Sequence, residues 1–245
     1  PPSPGRRRLL IRLGWTVVGL AMGGATLFLA AAQGIRLTGW TPSKARPNEL
    51  TPEVTSNEDF YQVSIDVASP VVDVRTWTLT VSGLVEHPLT LTYDELKSLP
   101  SVEQYTTLEC ISNEIGGPLI GNASWRGVVL KEILDRAGVK PGVVDVVLRA
   151  ADTYSDSIPI AKALQPGVVL AYEMNGVTLP RDHGFPARLL TPGIYGMKNV
   201  KWLTKIELVD HDYKGYWEEQ DWSDEAIVET RSRIDLPPER TTIFL

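Results

Sequence analysis

The sequence predicts an α+β fold built mostly from mixed β-sheets with short helices, and three observations support this class. Short alternating or β-branched runs outnumber helical runs along the chain. The helical runs are not interleaved with the strands as in a regular βαβ series. The chain has 245 residues, 43% of them hydrophobic, which is enough to bury a substantial core. We therefore expect residues 56–245 to form the folded domain.

The strand predictions rest on period-two alternation and β-branched content. Arg75–Gly83 alternates strictly and places Trp77, Leu79 and Val81 on one face. Asn175-Gly176 is a turn pair that follows a predicted strand. The predicted strands are Arg75–Gly83, the start of Leu89–Leu99, Tyr105–Leu108, Val143–Ala150, Val168–Met174, Arg188–Leu190 and Val200–Val209.

Three short helices are predicted. Thr92 can cap a helix inside Leu89–Leu99, with Glu95 at the capping-box position. Trp125–Ala137 places apolar residues at helical spacing and is followed by Gly138 as a stop signal. Ile160–Leu164 has room for one helical turn.

The N-terminal residues are typical of a membrane anchor. Leu13–Ala32 contains no charged residue over 20 positions, which is long enough to cross a bilayer core. Four arginines precede it, so we expect residues 1–12 to be cytoplasmic, 13–34 to form a single transmembrane helix or signal anchor, and 35–55 to form a linker. The domain would then be extracytoplasmic, periplasmic in a bacterium. A twin-arginine signal at Gly5–Leu10 with cleavage near Ala30–Ala32 is the alternative.

Composition argues against several classes of function. The net charge is −6, and beyond the first dozen residues there is no basic stripe, so nucleic acid is not an expected partner. The three histidines are too scattered for a zinc site, and no C-x-x-C-H motif encodes a covalently attached haem. A redox function would therefore exchange electrons through another protein or through an upstream membrane segment.

Cys110 is the only cysteine and stands where the Tyr105–Leu108 strand gives way to a loop rich in Ser, Asn and Gly. A single cysteine cannot form an intramolecular disulfide outside the cytoplasm. The residue alone leaves two interpretations open: a small buried hydrophobe, or a metal ligand or nucleophile. Downstream, Gly193–Lys198 could expose backbone N–H groups to a phosphate or could be a plain connecting loop.

Eight short motifs, in order from about Asn57 to Asp235, resemble the sulfite oxidase family of molybdenum enzymes. That family implies molybdenum on a molybdopterin with a terminal phosphate. The motifs are N-E-D-F-Y (57–61), L-E-C (108–110), A-S-W-R-G (123–127), S-I-P (157–159), D-H-G-F-P-A-R-L (182–189), P-G-x-x-G-x-K (192–198), V-K-W-L (200–203) and D-Y-K-G (212–215).

The resemblance implies a role for each matched residue. Cys110 would be the protein thiolate on the metal, and Tyr213 would be catalytic at the metal's open side. Trp125 would lie near the substrate channel. The residues implied around the pterin are Asn57, Tyr61, Cys110, His183, Arg188, Gly196, Met197 and Lys198, with Arg188 and Lys198 neutralising the phosphate.

The sequence departs from sulfite oxidases at the arginines that bind sulfite. Those positions correspond to about Val63 and Glu114-Ile115, and a carboxylate at Glu114 in the channel would repel a dianion. Sulfite is therefore not the expected substrate. The bacterial periplasmic branch, similar to the protein-methionine-sulfoxide reductase catalytic subunit, also lacks these arginines, although the loop after Cys110 differs from that enzyme's loop.

The expected function is a molybdopterin-dependent oxidoreductase that transfers an oxygen atom and two electrons to or from a small molecule or sulfoxide. Electrons would be exchanged with a separate cytochrome, membrane haem subunit or quinone. Two alternatives stay open: a cofactor-free surface binding module of the same fold, and an enzyme that pairs Cys110 as nucleophile with His183.

Overall fold

The structure is a computed structural model that describes residues 51–66 and 68–232. The predicted membrane span at 13–34, its basic flank and most of the predicted linker lie outside these residues. None of the described helices is long and apolar enough to span a membrane.

Ten strands make up most of the regular structure in the described part of the chain. Their bounds are β1 Thr78–Gly83, β2 Leu89–Thr92, β3 Val102–Glu109, β4 Ile120–Val129, β5 Asp145–Ala150, β6 Ser155–Pro159, β7 Val169–Met174, β8 Val177–Thr178, β9 Arg188–Leu190 and β10 Leu203–Val209. Short helices account for the rest: α1 Tyr93–Ser98, α2 Leu130–Ala137 and α3 Ile160–Ala163, with 3₁₀ turns at Arg181–His183, Gly196–Lys198 and Glu218–Gln220.

The strands form two five-stranded sheets. The first has the order β2-β1-β10-β5-β6, in which β1 and β10 are parallel and the other pairs are antiparallel. The second has the order β3-β4-β7-β8, with β9 also paired to β7, and all of its pairs are antiparallel. The parallel pair inside a mostly antiparallel sheet confirms the predicted α+β class with mixed sheets.

Local signals predicted several elements correctly. Thr92 Oγ1 accepts from the Glu95 amide, and the Glu95 carboxylate accepts from the Thr92 amide at 2.7 Å, so the capping box of α1 is confirmed. Asn175 and Gly176 both have positive φ, 51° and 75°, as the turn between β7 and β8 requires.

The predicted helix Trp125–Ala137 is wrong over its first five residues. Trp125–Val129 belong to β4, and only Leu130–Ala137 are helical. The cause is tertiary, because β4 is paired on both edges, with β3 and with β7. At Gly127 the strands approach so closely that a Cβ would lie 2.1 Å from the Leu170 carbonyl oxygen.

Two apolar clusters stabilise the domain. The larger one includes side chains of the first sheet and of α2, among them Leu79, Val81, Ile133 and Leu148. The smaller one groups residues of the second sheet with Phe60 and Tyr61, and Cys110 packs against it at its margin. The end of β3 is thereby fixed on a rigid base while the residues after it remain loop.

Candidate cofactor site

A cavity of about 270 Å³ is lined by residues from six stretches of the chain, within 60–65, 108–112, 152–154, 182–188, 196–202 and 217–222. Six of the cofactor-binding residues predicted from the sequence line this cavity, although they are far apart in the chain. They are Tyr61, Cys110, His183, Arg188, Gly196 and Met197.

Cys110 is the first residue after β3 and is partly exposed. Its amide donates to the Leu119 carbonyl at 2.9 Å, and its carbonyl accepts from the Asn113 amide at 2.9 Å. The thiol lies 3.1 Å from Ser112 Oγ. The backbone of Cys110 is thus held on both sides, while its sulfur lines the cavity and is available as a ligand.

Arg188 brings a buried positive charge to the cavity wall. Its side chain donates to two backbone carbonyls, of His183 and Asn199, each at 3.0 Å, and its Nε has no hydrogen-bond partner. The residue is 5% exposed, and among the described residues no carboxylate forms an ion pair with it. Burial lowers the pKa of Arg188 to about 10. A buried cation without an acidic partner, facing a cavity, is suited to an anionic ligand.

His183 is buried beside Arg188 and is neutral. Its Nε2 lies 2.7 Å from the Asn57 carbonyl oxygen, which can only accept, so Nε2 carries the proton and Nδ1 is left as an acceptor. Burial lowers the pKa of His183 to about 4. Asn57 is absent from the residues that line the cavity, and its side chain bonds Asn175 and Met174. Asn57 therefore orients His183.

Gly196 allows its turn to pack against Tyr61 more closely than any residue with a side chain could. A Cβ at this position would lie 2.5 Å from the Tyr61 hydroxyl and 3.3 Å from the Glu109 carbonyl oxygen. The next residue, Met197, accepts at its carbonyl from the Tyr154 hydroxyl at 2.9 Å. The Tyr61 hydroxyl is buried, and burial raises its pKa. The Gly196–Lys198 turn is therefore packed directly against the wall formed by Tyr61.

Lys198 lies outside the described cavity lining, and carboxylates surround its ammonium group. Its ammonium group lies 2.9 Å from Asp156, 2.9 Å from Glu218 and 3.3 Å from Asp224, and it also donates to a backbone carbonyl at 3.0 Å. Lys198 is 2% exposed and is not among the residues that line the cavity. Three carboxylates already compensate its charge. These contacts fix the Gly196–Lys198 turn, and the role of Lys198 at the phosphate stays a prediction.

Three other predicted residues lie outside the described cavity lining. The Tyr213 hydroxyl is 2.8 Å from Ser155 Oγ and accepts from Arg149 at 3.4 Å. Trp125 is fully buried in the smaller core and contacts two lining residues, Arg188, whose guanidinium stacks 5.3 Å from the indole ring centre, and Phe60, whose ring centre is 5.7 Å away. Glu114 is exposed on the loop after Cys110. The catalytic role of Tyr213 and the channel roles of Trp125 and Glu114 stay predictions.

Sequence reasoning missed several residues that the structure places in the cavity wall. Lys201 donates to Ser64 Oγ at 2.6 Å and lies 4.1 Å from the Trp202 ring centre, and burial together with the Arg188 charge lowers its pKa to about 7. Its position inside V-K-W-L was an available signal. Trp217 and Trp222, with ring centres 5.4 Å apart, also line the cavity and come from the aromatic-rich stretch 216–222.

The geometry does not favour a Cys-His nucleophile pair. His183 Nδ1 is left as an acceptor, but the hydrogen-bonding neighbour of the Cys110 sulfur is the Ser112 hydroxyl at 3.1 Å. Within the described residues no hydrogen bond joins the thiol to the imidazole. A general base in this role would need that contact.

The donor set fits a cofactor that combines a soft metal with an anionic arm. Cys110 offers one thiolate and Arg188 a cation without a carboxylate partner, and Gly196 lets its turn pack closely against Tyr61 in the same wall. The fold and site thus define a protein that binds an anionic, metal-carrying cofactor beside a single cysteine.

Comparisons with known proteins name the family. Residues 66–217 match the family described as oxidoreductase molybdopterin binding domain. The chain belongs to this family, and its cofactor is the molybdenum cofactor, molybdopterin with its metal. Membership of the sulfite oxidase family of molybdopterin-dependent oxidoreductases, predicted from the motifs, is confirmed. The bacterial branch stays a prediction.

Individual relatives are similar over most of the described domain. Mitochondrial sulfite oxidase of Drosophila melanogaster is 35% identical over 212 residues, which cover 74% of this chain and 37% of that protein. The uncharacterized oxidoreductase YuiH of Bacillus subtilis (strain 168) is 34% identical over 146 residues, 60% of this chain and 72% of that protein. The solved structure of sulfane dehydrogenase SoxCD from Paracoccus pantotrophus has a TM-score of 0.62 and 29% identity, covering 67% of this chain and 46% of that one. The match thus spans little more than a third of the fly enzyme.

Proposed function

We propose that this chain is a molybdenum-molybdopterin-dependent oxidoreductase that transfers an oxygen atom and two electrons at an extracytoplasmic site. The observation that supports this most is the single cavity in which the free thiol of Cys110 and the uncompensated guanidinium of Arg188 both take part. When bound, the cofactor supplies a redox-active metal that exchanges electrons and oxygen with a substrate.

The chain's own residues bind and orient that cofactor. Cys110 supplies the thiolate ligand, and Arg188 together with Lys201 neutralises the phosphate, in place of the Arg188–Lys198 pair predicted from the sequence. His183, neutral and fixed by Asn57, offers Nδ1 as an acceptor for a ring N–H. Gly196, packed closely on Tyr61, forms the adjoining wall together with Tyr61 and Met197.

We propose a neutral sulfur compound, such as a sulfoxide, as the substrate. Val63, one of the positions at which sulfite oxidases carry an arginine, lines the cavity beside Ile65 and Ile111, so this part of the wall is apolar. Arg188 and Lys201 supply the formal cations of the described lining, and both are assigned to the cofactor. The names of the similar proteins, sulfite oxidase and sulfane dehydrogenase, favour sulfur chemistry. A site without a spare cation pays a large desolvation cost for a dianion.

Location and electron partner are proposals that rest on the sequence. The uncharged stretch 13–32 behind an arginine-rich flank favours a membrane-attached domain on the outer side of the membrane. The sequence has no covalent haem motif, so electrons would be exchanged with a separate protein, a cytochrome or a membrane haem subunit, or with a quinone.

The test is metal analysis followed by a redox assay. Protein made in a host that synthesises the cofactor should contain close to one molybdenum per chain, and Cys110→Ser should lose most of it. A dye-coupled panel of sulfoxides, N-oxides and sulfite, with the Cys110 variant as control, should show turnover of neutral substrates and little of sulfite. Metal-free protein from such a host would favour the surface binding module instead, and brisk sulfite turnover would overturn the substrate proposal.

A further inference from the structure

The segment 226–231, here called the C-terminal strap, runs from one cofactor loop to the other. Its first half forms backbone hydrogen bonds with the loop that precedes Gly196. The Tyr195 amide donates to the Ala226 carbonyl at 2.7 Å, and the Val228 amide donates to the Gly193 carbonyl at 3.0 Å. The strap therefore takes its position from the loop that carries Gly196 and Met197.

The far end of the strap places Arg231 on the loop that carries Cys110. Its guanidinium forms an ion pair with Glu109, the residue directly before Cys110. The same guanidinium donates to the backbone carbonyls of Asn113 and Glu114, each at 3.3 Å. One side chain, more than a hundred residues away in sequence, thus contacts three positions of the cysteine loop.

Asn113 links that ion pair to the backbone of the cysteine loop. Its side-chain amide donates to the Glu109 carboxylate at 2.9 Å, and its side-chain oxygen accepts from the Leu119 amide at 2.8 Å. The Asn113 backbone amide donates to the Cys110 carbonyl. Arg231, Glu109 and Asn113 therefore form one connected network around the cysteine backbone.

The network depends on charge as well as on hydrogen bonds. Glu109 is 4% exposed, so its carboxylate has little access to water, and Arg231 is the cation in ion-pair contact with it among the described residues. A buried carboxylate that loses its cation is strongly destabilised and draws its surroundings toward water. Here the surroundings are the residues on both sides of Cys110.

We propose that Arg231 is a positioning residue for the metal ligand: it ties the Cys110 loop to the Gly196 loop through the strap and compensates the charge of Glu109 beside the thiolate. The effect of Arg231 on metal binding rests on the proposed function. Its effect on the Cys110 loop does not, and it can be measured in protein without metal.

The first measurement uses full-length, cofactor-free protein from a host that cannot make the cofactor. Because the chain contains one cysteine, the rate of iodoacetamide labelling reports on Cys110 alone. We expect Arg231→Gln to label roughly tenfold faster than wild type, since a tenfold change corresponds to about 1.4 kcal/mol of loop opening. Arg231→Lys keeps the charge but lacks the fork that reaches both carbonyls, so it should label at an intermediate rate.

The second measurement uses holoenzyme. Arg231→Gln should lower the molybdenum content and shift the midpoint potential of the metal to more negative values, because the uncompensated carboxylate beside the thiolate favours the more oxidised metal. Glu109→Gln in the Arg231→Gln background removes that carboxylate and should restore the potential. Arg126→Gln is the matched control, because Arg126 is 53% exposed and lies 3.9 Å from a single carboxylate.

The outcomes separate the two proposals. If Arg231→Gln and Arg126→Gln show equal labelling rates and equal potentials, or if Arg231→Gln lowers only the melting temperature, the positioning role is overturned. If wild-type protein never contains molybdenum but Arg231→Gln still accelerates labelling, the proposed function fails and the loop-positioning role stands. If Arg231→Gln does not fold, the Arg231→Lys labelling rate decides.

Discussion

Arg188 and Lys198 are two buried cations only ten positions apart, and their surroundings are opposite. Arg188 donates to backbone carbonyls, leaves Nε unpaired and lines a cavity. Lys198 has three carboxylates around one ammonium group and lies outside the described cavity lining. Burying a charge is costly unless something compensates it. For Lys198 the chain supplies that compensation with carboxylates, whereas Arg188 has only neutral partners among the described residues.

This difference indicates which cation serves binding and which serves stability. A side chain whose charge is fully satisfied inside the protein gains little from a further anion. A side chain that is held by neutral carbonyls gains a charge-assisted contact when an anion arrives. The cofactor site is therefore found by looking for incomplete compensation rather than for positive charge as such.

The largest expected effect is on the Lys198 side of the comparison. Lys198→Met should lower the free energy of unfolding by about 3–5 kcal/mol, because it leaves a cluster of carboxylates buried without their cation. Denaturant unfolding measures this loss. Lys214→Met is the control, since Lys214 is 45% exposed and pairs with Asp212 and Asp224 at the surface. Equal losses in the two variants would contradict the distinction, and Asp156→Asn in the Lys198→Met background should recover part of the stability.

The next effect is the pH dependence of the wall around Arg188. Burial lowers the pKa of His183 to about 4, so the unfolded chain binds the extra proton first as the pH falls. His183 therefore contributes stability that is present above its ordinary pKa of 6.5 and is lost as the pH falls toward 4, with a total of roughly 3 kcal/mol. Denaturant unfolding at several pH values should show a steeper loss for wild type than for His183→Gln. Parallel curves for the two proteins would show that His183 is not held neutral.

The sequence predicts the features that depend on neighbouring residues better than those that depend on residues distant in the chain. The capping box of α1 and the alternation of β1 are local, and both appear where the sequence predicts them. The helical spacing before Ala137 was misleading, because β3 and β7 hold Trp125–Val129 as strand.

The site residues also fall into those that motifs predict and those that depend on distant parts of the chain. The motifs identified Cys110, His183, Arg188 and Gly196, which the fold brings to one cavity. The same motifs assigned Lys198 to the phosphate. The carboxylates that compensate Lys198 come from β6 and from residues 218 and 224, so nothing near Lys198 in the sequence reveals them. Lys201, three residues further on, lines the cavity instead.

A third test removes the uncompensated cation. Arg188→Met should reduce cofactor retention roughly 100-fold, or about 2.7 kcal/mol, the scale of one or two hydrogen bonds to a charged group. The cofactor-free protein should change little in stability, since removal of a buried cation without a carboxylate partner offsets the loss of its hydrogen bonds to His183 and Asn199. Molybdenum content after dialysis and the melting temperature of the cofactor-free protein check the two halves. Arg149→Met, at a half-exposed pair with Glu207, is the control and should retain the cofactor.

The smallest effect concerns which carboxylate compensates Lys198. Asp224 lies 3.3 Å from the Lys198 ammonium, but its side chain is 42% exposed and is shared with Lys214, whereas Asp156 is fully buried. Solvent screens an exposed carboxylate, so Asp224→Asn should cost less than about 1 kcal/mol. The measurement is unfolding in denaturant with and without about 0.5 M added salt, because salt at this level screens surface ion pairs. A loss as large as that of Lys198→Met would mean that Asp224 carries the compensation. The charge of Lys198 would then be balanced at the protein surface rather than in its interior, and the contrast with Arg188 would not be one between two buried environments.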